Sequence, residues 1–135
     1  MGIENIKFHH IGFAVKDINQ AIKWYADILG FTKLMHPGIC EMDLMEHKGY
    51  RCIIQNNNGV CLELEQRTDT EFPDNQSPII SHFSLEVDDI EMIREHLKEN
   101  KIDLDNDGII VDKPDKRILY FTGSDEIRIE LIQNV

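Results

Sequence analysis

Two stretches, HHIGFAVKDI (residues 9–18) and SHFSLEVDDI (residues 81–90), lie about half a chain apart and align almost in step. When His10 is aligned with His82, the last valine, aspartate and isoleucine of each stretch also coincide. Each stretch begins with alternating apolar residues, which is typical of a strand, and then changes to the spacing of an amphipathic helix. The chain therefore contains an internal repeat of a strand followed by a helix.

Each copy predicts a helix with marked ends. In the first helix Asp17 is placed as the N-cap and Gly30 as the left-handed stop. In the second helix Asp89 is the N-cap, and Asn100 is predicted to take the left-handed position that Gly30 takes in the first. The apolar stripes consist of Ile18, Ala21, Ile22, Tyr25, Ile28 and Leu29 in the first helix and of Ile90, Ile93 and Leu97 in the second.

Each copy then ends in a predicted hairpin, YRCIIQNNNGVCLELEQ in the first and RILYFTGSDEIRIELIQ in the second, with Asn-Gly and Gly-Ser as turn residues. Glu63 follows His10 by 53 residues and Glu130 follows His82 by 48, so the copies have nearly one length. The polar stretch EQRTDTEFPDNQSPII between them reads as a linker. We predict an α+β fold with one domain over residues 1–135, composed of a βαβββ module at about 5–66, a linker at about 67–79 and a second βαβββ module at about 80–135.

The repeat also places a histidine and a glutamate on one strand face of each module. Successive side chains of a strand point to opposite faces, and the apolar face must be the one that the helix covers. His10, Glu63, His82 and Glu130 therefore lie on the face turned away from the helices. A single residue of this kind is usually solvated, but its recurrence at the same offset in both modules favours a metal site. Two imidazoles and two carboxylates suit Ni²⁺, Co²⁺, Zn²⁺ or Mn²⁺.

The other four histidines are not assigned to the metal. His36 and His47 fall in a loop-like stretch between the second and third strands. His96 lies toward the polar side of the second helix, and strand alternation places His9 on the helix-facing side.

Composition excludes several classes of protein. The chain has 14 Lys and Arg residues and 25 Asp and Glu residues, and its net charge of −11 argues against nucleic acid and anionic membrane surfaces as partners. No leader pattern and no long apolar span is found in the sequence, so we expect a cytoplasmic protein. Cys40, Cys52 and Cys61 are odd in number and show no C-x-x-C spacing, which argues against a disulfide framework.

With these features the sequence resembles the vicinal oxygen chelate superfamily, which includes glyoxalase I, methylmalonyl-CoA epimerase, extradiol dioxygenases and fosfomycin resistance proteins. The resemblance covers essentially the whole chain and is marked by HHIGFAVKDINQAIKWYADILGF, CLELEQ, SHFSLEVDDIEMI and IRIELIQ. It implies a curved mixed sheet around a metal cleft, with the helices outside. It also implies four metal ligands, which are His10, Glu63, His82 and Glu130.

Glyoxalase I is the most similar member because its ligands are two histidines and two glutamates, or in some members one glutamine. Methylmalonyl-CoA epimerase usually has Gln at the position of Glu63, fosfomycin thiol transferases use three ligands, and proteins of the bleomycin-resistance type lose the ligands. The resemblance therefore implies a lactoylglutathione lyase-like enzyme that uses one Ni, Co or Zn ion per site. It would convert the hemithioacetal of a 2-oxoaldehyde into a 2-hydroxyacyl thioester through a metal-chelated enediolate.

In that reaction the resemblance makes Glu130 the general base, with Glu63 as its symmetric counterpart. Arg128, on the same strand face as Glu130, either grips a substrate carboxylate or forms an ion pair with Glu63 or Glu65. The alternatives are an epimerase of the methylmalonyl-CoA type and a non-catalytic protein that binds a small molecule and confers resistance. A homodimer is expected, and the identities of the thiol and of the substrate are left open.

Overall fold

The computed structural model describes residue 5 and residues 7–42, 48–69 and 82–135. The chain divides into two compact units, Met1–Asn75 and Gln76–Val135, and each is described by itself. His47 and residues 70–79 of the predicted linker lie outside the described residues. The single domain and the module limits stay predictions.

The first unit contains one helix and a mixed sheet. Its elements are β1 (Ile11–Ala14), α1 (Ile18–Leu29), β2 (Lys33–Leu34), β3 (Cys40–Met42), β4 (Gly49–Gln55) and β5 (Cys61–Arg67). The strand order is β1-β5-β4-β2, and β3 also pairs with β4. β1 runs parallel to β5, whereas the other pairs are antiparallel. The predicted βαβββ order is present, with β3 as an additional short strand that the sequence did not indicate.

The second unit repeats this plan. Its elements are β6 (Phe83–Glu86), α2 (Ile90–Glu99), β7 (Val111–Asp112), β8 (Lys116–Thr122) and β9 (Arg128–Asn134), together with short 3-10 helices at Asp105–Gly108 and Ser124–Glu126. The strand order is β6-β9-β8-β7, and β6 runs parallel to β9. The predicted α+β class and the hairpins β4–β5 and β8–β9 are confirmed.

The predicted helix starts are confirmed in both units. The carboxylate of Asp17 accepts a hydrogen bond from the backbone N–H of Gln20 at 3.1 Å, and Asp89 accepts one from Met92 at the same distance. Each carboxylate satisfies an N–H that has no partner within its helix. Gly30 ends α1 in the left-handed conformation, with φ of 74°.

The predicted end of α2 is wrong in one detail. Asn100 has φ of −92°, and the left-handed residue is Lys101, with φ of 57°. The Asn100 side chain instead donates a hydrogen bond to the backbone carbonyl of His96 at 2.8 Å. The amide therefore caps a carbonyl at the helix end, and the chain reverses one residue later than the glycine analogy predicts.

A glutamine from the last strand of each unit anchors the start of the helix in the same unit, which the sequence analysis missed. The side-chain oxygen of Gln66 accepts a hydrogen bond from the backbone N–H of Ile18 at 2.8 Å. Gln133 makes the equivalent bond to Ile90, also at 2.8 Å. Both glutamines lie three residues after the glutamate of their module, so the spacing itself could have identified them.

The helix-facing side of each sheet forms the core of its unit. In the hairpin strands Leu64 is fully buried and Leu131 is 1% exposed, as strand alternation predicts. Other core residues include Phe13, Val15, Ile18, Tyr25, Cys52, Ile54 and Leu62 in the first unit and Phe83, Ile90, Leu97, Leu119, Phe121 and Ile129 in the second. This packing turns the alternate residues Glu63 and Glu130 to the other face. Within the described residues, neither helix has the length and apolar character needed to cross a bilayer.

Candidate functional site

The first unit brings His10 and Glu63 together. His10 immediately precedes β1, and Glu63 lies in the neighbouring parallel strand β5. The Nε2 atom of His10 is 3.4 Å from Oε2 of Glu63. The other ring nitrogen of His10 lies 2.7 Å from Nδ1 of His9. One imidazole nitrogen is thus engaged by a neighbouring ring, and the other faces the carboxylate.

His9 does not take the position that was predicted for it. The side chain is exposed and contacts His10 rather than lying on the helix-facing side of the sheet. The reason is that β1 begins only at Ile11, so strand alternation does not extend back to His9. His36 is exposed, and His96 interacts with Asn100 at the end of α2.

A guanidinium group also reaches the carboxylate of the first unit. Arg51 lies in β4, next to β5, and its Nη1 atom is 3.6 Å from Oε2 of Glu63. The carboxylate therefore lies between an imidazole and a permanent positive charge. The sequence analysis did not single out Arg51, because the strand register that places it near Glu63 cannot be read from one strand alone.

The second unit brings His82 and Glu130 together in the equivalent way. His82 immediately precedes β6, and its Nε2 atom is 3.7 Å from Oε1 of Glu130 in the parallel strand β9. The Ser84 hydroxyl donates a hydrogen bond to the same carboxylate at 2.5 Å. The Tyr120 hydroxyl, from the opposing position in β8, donates another. The Tyr120 ring also packs edge-on against His82, with 5.3 Å between ring centroids.

Glu130 is buried although it lies on the face turned away from the helix, where Ser84, Tyr120 and His82 contact it. Only 8% of the residue is exposed. Burial opposes ionisation, but the hydrogen bonds from Ser84 and Tyr120, together with the charges of His82 and Lys116, hold the pKa of the Glu130 carboxyl below its ordinary value. The hydrogen bond to Glu130 raises the pKa of the Tyr120 phenol, and burial adds to this effect. The site therefore stabilises an ionised glutamate beside a neutral tyrosine.

Arg128 has a partner that neither sequence interpretation considered. Its Nε and Nη2 atoms donate hydrogen bonds to one carboxylate oxygen of Asp105, at 3.0 and 2.6 Å. Its guanidinium carbon also lies 4.3 Å from the centroid of the Tyr120 ring, a cation–π contact. Within its own unit the guanidinium is therefore paired with Asp105, and the expected ion pair with Glu63 or Glu65 stays a prediction. Substrate binding by Arg128 stays a prediction.

The spacing of the first pair falls within the range that two ligands of one metal ion require, and the spacing of the second pair lies just above that range. Two ligand atoms about 2.1 Å from one ion, at ~90–120° to each other, lie about 3.0–3.6 Å apart. The imidazole nitrogen and carboxylate oxygen are 3.4 Å apart in the first unit and 3.7 Å in the second. In the part of the chain that the structure describes, no three His, Cys, Asp or Glu side chains form a group that could hold a metal ion. Each unit therefore offers a two-ligand half-site, and the four-ligand centre stays a prediction.

The described part of the first unit also contains an open cavity of about 400 Å³ at the ends of β3 and β4. It is lined by Glu41, Met42, Lys48, Gly49, Tyr50 and Thr68. None of the predicted metal ligands is among these lining residues. The three cysteines are free thiols, as predicted.

Comparison with solved structures finds the same fold in several proteins of low sequence identity. A glyoxalase family protein from Bacillus cereus is 15% identical, with a TM-score of 0.74 over 98% of this chain and 97% of the other. The fosfomycin resistance protein FosX from Listeria monocytogenes, solved with Mn(II) and sulfate, is 16% identical, with a TM-score of 0.64 over 99% and 95%. TnmS3, an antibiotic binding protein from Streptomyces sp. CB03234, is 20% identical, with a TM-score of 0.66 over 98% and 100%.

Sequence comparison identifies the family directly. Among curated proteins no significant match is found. The family model of the glyoxalase/bleomycin resistance protein/dioxygenase superfamily, in contrast, matches residues 9–120 and so includes most of both repeats. The chain therefore belongs to this superfamily, which is the vicinal oxygen chelate superfamily that the repeated motifs predicted.

Proposed function

We propose that this protein is a divalent-metal-dependent enzyme of glyoxalase I type, and that His10, Glu63, His82 and Glu130 bind one Ni²⁺, Co²⁺ or Zn²⁺ ion. The observation that carries this proposal is the equivalent pairing of an imidazole with a carboxylate in both units, at 3.4 and 3.7 Å. The mixed nitrogen and oxygen set suits these ions. The fold is shared with FosX, which was solved with Mn(II).

The proposed reaction is an isomerisation that needs no oxidant. A proton leaves carbon 1 of the hemithioacetal of a 2-oxoaldehyde and is returned to carbon 2, which gives a 2-hydroxyacyl thioester. The bound ion would supply a Lewis acid that stabilises negative charge on the substrate oxygens. Glu130 would accept the proton and return it, while Ser84 and Tyr120 hold its carboxylate in position. Glu63 is its counterpart in the first unit.

Metal depletion and reconstitution test the proposal. The protein is treated with a chelator and then supplied with Ni²⁺, Co²⁺ or Zn²⁺ in the presence of methylglyoxal and a thiol. Thioester formation should disappear on chelation and return with metal. A homodimer remains an additional prediction, which sedimentation would test separately.

The same protein should be incubated with methylmalonyl-CoA in deuterated water. Deuterium at carbon 2, with no thioester from methylglyoxal, would make the protein an epimerase instead. Tight binding of a small molecule without any product would favour a sequestering protein. This outcome is a real alternative because TnmS3, which has the same fold, is an antibiotic binding protein.

A further inference from the structure

His9 and His10 form a direct contact between two imidazole rings. Their Nδ1 atoms are 2.7 Å apart, and the ring planes meet at 77° with 4.9 Å between centroids. At this distance one nitrogen must donate its N–H and the other must accept, because two lone pairs or two protons would repel each other. In the neutral pair, a proton on Nδ1 of one ring therefore excludes a proton on Nδ1 of the other. The tautomers of the two histidines are coupled.

The carboxylate of Glu63 selects the tautomer of His10 when no ion is bound. The Nε2 atom of His10 lies 3.4 Å from Oε2 of Glu63. An ionised carboxylate only accepts hydrogen bonds, so it favours a proton on Nε2. A neutral imidazole has a single N–H, which leaves Nδ1 of His10 as the acceptor. His9 must then donate from its own Nδ1.

Metal binding would require the opposite arrangement. A metal ion takes the lone pair of a neutral imidazole nitrogen, so Nε2 of His10 would have to lose its proton. The remaining proton of a ligating histidine lies on the other ring nitrogen and is donated to a neighbouring group, which orients the ring. For His10 the neighbouring group is Nδ1 of His9. An imidazole can donate or accept a hydrogen bond, whereas a carboxylate only accepts, so His9 suits both states.

The proton count of this exchange balances. The proton on Nδ1 of His9 moves across the hydrogen bond to Nδ1 of His10, the proton on Nε2 of His10 leaves to water, and Nε2 of His9 takes one proton from water. Each ring has one N–H before and after the exchange, so the pair releases no net proton. His9 is exposed, and its ring can therefore exchange a proton with water. In the second copy Ser81 occupies the corresponding position in the sequence, so the adjacent histidines belong to the first copy alone.

We infer that His9 is a positioning residue for His10, and that the hydrogen bond between the two rings reverses its direction when an ion binds. His9 donates in the metal-free protein and accepts in the metal-bound protein. This inference rests on the proposed function for the role of His10 as a ligand, but not for the direction of the hydrogen bond in the metal-free protein.

Two substitutions of His9 separate the hydrogen bond from the ring contact. His9→Phe keeps an aromatic ring without a hydrogen-bonding atom, whereas His9→Asn loses the ring and keeps an amide that can donate or accept. Competition with a chelator measures the affinity for Zn²⁺. His9→Phe should weaken binding about 10- to 100-fold, and His9→Asn should stay within about 3-fold of wild type.

His36→Phe is the matched control, because it removes an exposed imidazole that is outside the predicted ligand set. It should bind Zn²⁺ as wild type does. Wild-type affinity in His9→Phe would overturn the inference. An equal loss in His9→Phe and His9→Asn would also overturn it, since the ring contact rather than the hydrogen bond would then be needed.

NMR of the imidazole nitrogens reads the direction of the hydrogen bond in wild type, because ring nitrogens with and without a proton differ in chemical shift. Spectra are recorded with and without Zn²⁺ at about pH 8.5, where histidine side chains are ordinarily neutral. The metal-free protein should carry the protons on Nδ1 of His9 and Nε2 of His10. With Zn²⁺ the protons should lie on Nε2 of His9 and Nδ1 of His10. Zinc binding that leaves both tautomers unchanged would contradict the reversal.

The metal-free spectrum separates this inference from the proposed function. If wild type binds no Zn²⁺, the proposed function fails, and the metal-free spectrum alone decides the inference. A proton on Nδ1 of His9 would then support its donation to His10. A proton on Nδ1 of His10 in the metal-free protein would overturn the inference, whether or not an ion binds.

Discussion

The two repeats share a scaffold but surround their glutamates differently. Each places a histidine just before its first strand and a glutamate on the parallel neighbour. The residues that oppose the glutamate in the adjacent strands are Gly12 and Ile53 for Glu63, and Ser84 and Tyr120 for Glu130. Gly12 and Ile53 offer Glu63 no side-chain hydrogen bond, so its polar neighbours are the His10 imidazole and the Arg51 guanidinium. Glu130 instead accepts hydrogen bonds from two hydroxyls.

This difference indicates a division of roles between equivalent positions. The buried and hydrogen-bonded carboxylate of the second unit is suited to a defined place in proton transfer. The first unit instead places the Arg51 guanidinium beside Glu63. A duplicated fold can thus keep its core and its histidine–glutamate pairs while the side chains around them diverge.

The largest expected effect comes from removing the proposed base. Glu130→Gln should lower thioester formation about 10²- to 10⁴-fold, because an amide cannot accept the proton. The fold should be retained, since the core neighbours Ile129 and Leu131 are unchanged. Glu63→Gln should have a smaller effect on turnover in the same assay.

Glu86→Gln is the control for these variants, because Glu86 is exposed in β6 and bonds to Asn134. It should keep wild-type turnover. If Glu63→Gln reduced turnover more than Glu130→Gln did, the division of roles between the units would be reversed.

Loss of a buried leucine should destabilise the two units to a similar extent, although their polar faces differ. Leu64→Ala and Leu131→Ala each remove a buried leucine from equivalent strands. Each should lower the free energy of unfolding by about 2–5 kcal/mol, through lost burial and the cavity that remains. Urea unfolding would measure both. A loss below about 1 kcal/mol in either variant would show that the packing of that unit differs from the description.

A pH effect should distinguish the two cores, because Cys52 in the first unit corresponds to Leu119 in the second. Burial, with smaller effects of Cys40 and Glu63, raises the pKa of the Cys52 thiol from 9.0 to about 11. The unfolded chain loses this proton at lower pH than the folded protein does. The stabilising effect is therefore complete below pH 9 and is lost as the pH rises toward about 11.

Urea unfolding of wild type and Cys52→Val at pH 8 and pH 11 would measure this effect. The stability of wild type relative to the variant should fall by about 2 kcal/mol over that range, given ~1.4 kcal/mol per pKa unit. Lysines and tyrosines titrate in both proteins, so their contributions cancel in the comparison. A constant difference between the two proteins would contradict the prediction.

The smallest effect should again be the same in both units. Gln66→Ala and Gln133→Ala remove the side-chain oxygens that accept hydrogen bonds from the starts of α1 and α2. Each should lower the free energy of unfolding by about 1 kcal/mol. Gln20→Ala removes an exposed side chain near the start of α1 and should cost less than about 0.5 kcal/mol. Equal losses in all three variants would mean that the two bonds add no stability.

Periodicity explains why most of the fold could be predicted from the sequence. The caps Asp17 and Asp89 and the two hairpins depend on neighbours within a few residues, and so they appear in the local pattern. The left-handed residue at the end of α2 was predicted wrongly because the Asn100 side chain instead donates a hydrogen bond to the backbone carbonyl of His96. That choice depends on geometry that residue type alone does not determine.

The site was predicted only as far as the repeat extends. His10, Glu63, His82 and Glu130 stand out because each pair recurs, and the structure brings together the two members of each pair. The neighbours that differ between the repeats have no such signal. Strand pairing brings Arg51, Ser84 and Tyr120 close to their glutamates. An interpretation based on the repeat could not find them, because these residues differ between the two copies.

The most direct test of the central claim is the metal content of variants from each half-site. Elemental analysis of the reconstituted, dialysed protein should give one divalent ion per chain. His10→Ala and His82→Ala should each remove nearly all of it, because four ligands of one site act together, whereas His36→Ala should retain it. Two ions per chain, or a full complement of metal in either half-site variant, would contradict the claim that the two pairs bind a single ion.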